Sequence, residues 1–151
     1  MNTGNPLVLL LICNNCKGMS EKLLPEMQFR FSENVRMMAV SCPSELDPFV
    51  FIKLLRKSCD GLVVACPKDA CCCPENKAIM KRRQILKDIL PIFGLHKEQL
   101  KIASVSPYGG KQLIQIVEDM IEFLKTEFQN GAECNFVGTE GAHPSILRWV
   151  N

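Results

Sequence analysis

The chain has 151 residues, 47% hydrophobic and 23% charged, enough for one domain with an ordinary core. A formal charge of +2 gives no ground for a nucleic-acid partner, and no apolar run approaches the ~20 residues that a membrane span needs. Nine cysteines, an odd number, argue against a secreted disulfide scaffold and for a reducing, cytoplasmic setting, where clustered thiols usually serve metal or redox chemistry.

The first run, PLVLLLIC (6–13), has no basic residue ahead of it and reads as a buried strand, not a signal peptide. Cys13 and Cys16 follow it in LICNNC. SEKLLPEMQF (20–29) is a weak helix interrupted by Pro25. VRMMAV (35–40) is a second strand, followed by Cys42. In DPFVFIKLLRK (47–57), Asp47 is placed to cap a helix and Pro48 to open it. Cys59, in KSCDG, reads as a packing residue ahead of a third strand, GLVVA (61–65).

The third strand runs into VACPKDACCCP (64–74), with Cys66 and Cys71 followed by Cys72 and Cys73, which are not expected to be ligands. A helix over 75–94 carries apolar residues at 79, 85, 86, 89 and 92–93 and ends at Gly94. Its first half crowds Lys77, Lys81, Arg82, Arg83 and Lys87, a basic face suited to an acidic partner or to offsetting thiolate charge. LKIASV (100–105) is a fourth strand, and GKQLIQIVEDMIEFLKTEF (110–128) has helical period. His96 and His143 lie in loop contexts and read as surface residues. Beyond residue 129 no period is visible. The reading is therefore a domain over 1–129 and a tail over 130–151, in which Trp149 is a candidate anchor on the domain or on a partner.

Strands that are almost wholly apolar and alternate with helices predict an α/β fold: a small open parallel sheet of about four strands with helices on both faces, flavodoxin- or Rossmann-like. Five cysteines, Cys13, Cys16, Cys42, Cys66 and Cys71, then fall at the carboxyl ends of three consecutive strands. In open α/β sheets ligands bind at that edge, near the switch point. If the sheet places strand one between two and three, these loops converge. Thiolates gathered there suit a soft metal or an iron–sulfur cluster. Cys13, Cys16, Cys66 and Cys71 are the leading set of four, with Cys42 as the alternate.

At these residues the chain resembles the delta subunit of methyl-viologen-reducing nickel–iron hydrogenase. The resemblance rests on Cys13-Asn14-x-Cys16, then Asn34-Val35-Arg36 with Val40-x-Cys42, and Asp47-Pro48. It continues in Asp60-Gly61-x-x-Val64, Cys66 and Cys71, the pair Arg82-Arg83 ahead of Ile85-Leu86-Lys87, and Gly94-Leu95. Membership implies a 2Fe–2S cluster and an electron-transfer subunit without catalysis of its own. Its electrons would run from a hydrogenase or formate dehydrogenase to the flavin subunit of a heterodisulfide-reductase-type, electron-bifurcating complex. The chain departs from the family pattern at Pro43-Ser44-Glu45, where Gly-Arg is common, and at Pro67 and Cys72, where histidines are.

Two other classes of protein fit parts of the pattern. Cys13-x-x-Cys16 between a strand and a helix is also the arrangement of a thioredoxin-like dithiol enzyme. The two cysteine pairs could instead hold a structural zinc ion, if their loops converge. No acid–base pair or nucleophile triad is visible in the chain.

Overall fold

The computed structural model describes residues 5–13, Pro25, Met27, Arg30, Phe31, 33–67, 76–106 and 110–130. Four strands, β1 (Val8–Cys13), β2 (Val35–Val40), β3 (Gly61–Pro67) and β4 (Leu100–Val105), alternate with α1 (Pro48–Lys57), α2 (Asn76–Ile89) and α3 (Gly110–Asn130). The sheet order is β2-β1-β3-β4 with every pair parallel. Both the expected α/β class and the central position of the first strand are met.

β1 reads VLLLIC and is buried at all six positions. Successive side chains point to opposite faces, so a strand without a polar residue needs cover on both. On one face Leu10, Ile12 and Val63 pack with Leu113, Val117 and Met120 of α3, together with Met27 and Phe31. On the other, Leu9, Leu11 and Val64 pack with Phe51 and Leu55 of α1 and with Leu86 and Leu90. The helical period expected over 110–128 is the stripe that faces the sheet. Of the weak helix over 20–29 only Pro25 and Met27 are described, and both are helical.

Local chemistry explains the boundaries. The Asp47 carboxylate accepts from the Phe49 amide at 2.8 Å and Pro48 opens α1, the start the sequence predicts. The helix expected over 75–94 divides. α2 stops at Ile89 and a 3-10 turn, Leu90–Phe93, contains Pro91, which lacks the N–H that an α-helix needs. Gly94 closes the turn at φ 73°, in the left-handed region. Two of the apolar residues assigned to that helix also point outward: Ile85 is 61% exposed and Ile92 is 78% exposed.

Asp60 and Gly61 pin the start of β3. The Asp60 carboxylate accepts from the Leu7 amide at 2.8 Å, and the Asp60 amide donates to the Leu7 carbonyl at 2.8 Å. Gln99 closes the arrangement by donating to the Asp60 carbonyl at 2.8 Å. A Cβ on Gly61 would stand 2.8 Å from Met120 Sδ and 2.9 Å from Leu124 Cδ1, so glycine lets α3 lie close against β3.

Candidate functional site

The register decides where the thiols stand. Cys13 is the last residue of β1, level with Val40 of β2. The last β1–β3 pair is Ile12 with Ala65, so Cys66 lies one step further on, alongside Cys13. Both cysteines are within strands, not in the loops after them, while Cys42 sits just beyond β2 at the start of the Pro43–Glu45 turn. After β1 the chain reaches Met27 and Phe31 on one face; after β3 it reaches α2 on the other. The β1/β3 boundary is therefore the switch point at which doubly wound sheets bind ligands.

Side-chain alternation places Cys13 and Cys66 in one layer. Cys66 packs with the α1–α2 core. Cys13 follows Leu9 and Leu11 at strand period onto that face, while Cys42 lies past the bend at Ser41, beyond the end of β2. All three are buried, at 1%, 5% and 4% exposure for Cys13, Cys42 and Cys66. The Cys13 thiol donates to the Ser41 carbonyl at 3.4 Å, tying the end of β1 to the exit from β2. Cys42 Sγ and Ser44 Oγ are 2.8 Å apart.

Arg82 reaches this turn from α2, its guanidinium donating to the Ser44 carbonyl. It is half-buried and holds the Cys42 loop against the helix, a contact that the basic crowd in the sequence did not announce. Arg83 is exposed, and its guanidinium donates to the Ile102 carbonyl at 3.5 Å. Cys59 lies at the opposite end of the sheet, in the α1–α2 core, where its thiol donates to the Leu54 carbonyl at 3.4 Å. His96 is exposed and accepts from the Glu98 amide at 3.1 Å, as a surface residue would.

Cys16, Cys71 and Trp149 lie outside the described residues, as do Cys72, Cys73, Cys134 and the 131–151 segment. Among the described residues no three Cys, His, Asp or Glu side chains form a group able to hold a metal ion. The donor chemistry at the edge still fits a soft metal: Cys13, Cys42 and Cys66 are buried sulfurs at the ends of adjacent strands, and the Arg82 guanidinium holds the turn that follows Cys42. A complete ligand set requires at least one further residue.

The fold and this edge define the class: a doubly wound α/β domain with cysteine sulfurs gathered at its switch point. Residues 8–127 match the family described as methyl-viologen-reducing hydrogenase, delta subunit, and the chain belongs to that family. It is also similar to the A-subunit of the ferredoxin/F(420)H(2)-dependent CoB-CoM heterodisulfide reductase of Methanosarcina acetivorans, 25% identical over 143 residues covering 89% of this chain. A second relative is the A-subunit of the ferredoxin:CoB-CoM heterodisulfide reductase of Methanosarcina mazei, 25% identical over 130 residues and 85% of the chain. The match spans only 18% and 16% of those two proteins. Among the described residues no helix is long and apolar enough to cross a membrane.

Proposed function

We propose that this chain is a cytoplasmic electron-transfer subunit carrying a 2Fe–2S cluster at the carboxyl edge of its sheet. The observation that carries the reading is the placement of Cys13 and Cys66 side by side at the β1/β3 switch point, with Cys42 just beyond the end of neighbouring β2. Four of Cys13, Cys16, Cys42, Cys66 and Cys71 ligate it, with Cys42 the alternate in the leading set. Such a cluster supplies one-electron transfer when bound. The protein's part is to present thiolates from converging elements, exclude water with the surrounding core, and hold the Cys42 turn through Ser44 and Arg82.

Kinship with the hydrogenase delta subunits and with the heterodisulfide reductase A-subunits supports the partners. The acceptor is the flavin and iron–sulfur subunit of a heterodisulfide-reductase-type complex, and the donor is a hydrogenase or formate dehydrogenase. Arg82, Arg83 and Trp149 are the proposed contacts.

Anaerobic purification tests the cluster. A brown protein with about two irons and two sulfides per chain is expected. A colourless, iron-free protein that resists reconstitution overturns the reading. Bound zinc would then favour the structural site, and a titratable dithiol at Cys13 and Cys16 a thioredoxin-like enzyme. Alanine replacement of each of the five cysteines in turn identifies the ligands. Loss of the cluster in Cys42→Ala but not in Cys16→Ala would replace the leading set.

A further inference from the structure

The α1–α2 face of the domain exposes apolar side chains among mostly basic ones, with Asp47 the acid beside Phe49. Phe49 is 62% exposed, Ile85 61% and Ile92 78%. Ile85 and Ile92 are two turns apart on α2 and its 3-10 continuation. The Phe49 ring meets Phe93 edge to face, with centroids 6.2 Å apart, joining α1 to the same patch. Large apolar side chains grouped in this way on a protein surface mark a contact site.

Charge is segregated between the two faces. α1 carries Lys53, Arg56 and Lys57 and no acid. On α2, Lys81, Arg82, Arg83 and Lys87 stand against one acid, Asp88, which pairs with Lys97 at 3.8 Å, while Lys87 pairs with Glu98 at 3.7 Å. α3, on the opposite face, carries Glu118, Asp119, Glu122 and Glu127 against Lys111 and Lys125. A net charge of +2 hides this separation.

We propose that the α1–α2 face docks an electron-transfer partner whose contact surface is apolar at its centre and acidic at its rim. Opposite rims steer association and fix orientation, while the apolar centre supplies the buried area. A second copy does not match. The exposed positions described on α3 are all polar, so its acidic face offers no apolar patch to cover Phe49 and Ile92. Phe49 is the second residue of α1, the helix that follows the Cys42 turn in the chain, and its ring meets Phe93 beyond the end of α2. That the partner carries a redox cofactor rests on the electron-transfer reading; its surface chemistry rests on charge and exposure.

The test places a photo-crosslinking phenylalanine analogue at Phe49, Ile85 or Ile92 of the full chain in the cells that make it, with Gln112 and Asp119 of α3 as controls. Crosslinked peptides are then identified by mass spectrometry. Crosslinks from the first three positions to an acidic segment of a flavin or iron–sulfur protein, with silent controls, are expected. In the purified complex the exposed pair Lys53→Glu and Lys81→Glu should weaken binding by roughly tenfold, and added salt should weaken the wild-type complex. Circular dichroism melting of the variant controls for folding. Crosslinks from α3 alone, to a second copy, to lipid or nucleic acid, or none at all overturn the proposal. A colourless protein that still crosslinks to an acidic protein refutes the cluster but keeps the surface; a brown protein that crosslinks only through α3 does the reverse.

Discussion

Asp60 shows how much of a short motif can be structural. Its carboxylate and amide both bond the backbone of Leu7, joining the entrances of β1 and β3. Asp60→Ala removes the acceptor for the Leu7 amide and should lower stability by about 1–3 kcal/mol in urea unfolding, with Asp60→Asn losing less. Arg82 has the same character at the other edge. Arg82→Ala should speed hydrogen exchange at the Glu45 and Leu46 amides, which close the Pro43–Glu45 turn on the Cys42 and Pro43 carbonyls at 3.1 and 3.3 Å, while the β3 amides stay protected. Glu98 gives a pH dependence. The hydrogen bond from Lys101 lowers its carboxyl below the usual range, against some opposing desolvation, helped by the charges of Lys101, Lys87 and His96. A lowered carboxyl stabilises the fold above its unfolded value, near 4.3, and loses that contribution as pH falls through the folded value. The pair is solvent-exposed, so Glu98→Gln should cost under about 1 kcal/mol at neutral pH and converge with wild type in acid.

At the scale of elements, helix ends were legible because their signals are local. Asp47 and Pro48 act within one turn of α1. Asp47→Ala should therefore cost about 1 kcal/mol in thermal or urea unfolding without moving the sheet. The end of α2 was harder to read. Pro91 converts the last turn to 3-10 geometry, and the change leaves Ile92 turned to solvent. Ile85 is exposed for a different reason. α2 and the turn that continues it touch the sheet through Leu86 and Leu90, and position 85 lies off that stripe. Hydrophobicity alone could not separate Ile85 from Leu86, because which side of a helix faces the sheet depends on the rotation that packing selects.

The whole molecule is organised around β1, which is central in the sheet and covered on both faces. β2 lies at an edge and is exposed at three of its six positions. Native-state hydrogen exchange should accordingly find the slowest amides in β1 and β3 and faster exchange along β2. Equal protection across all four strands would contradict this layering. The separation of charge between the α1–α2 and α3 faces also belongs to this scale, since it depends on which side of the sheet each helix covers.

Four strands, the helices described over them and the carboxyl-edge placement of Cys13, Cys42 and Cys66 were determined by the sequence itself, because apolar period, caps and chain direction are written in neighbouring residues. Kinship with the hydrogenase delta subunits was legible in the spacing of the same short motifs. Only the tertiary structure set Cys66 beside Cys13, joined Arg82 to the Cys42 turn through Ser44, and left Phe49, Ile85 and Ile92 outside the core. Strand order, register and helix rotation arise from contacts between residues far apart in the chain, and no local pattern carries them.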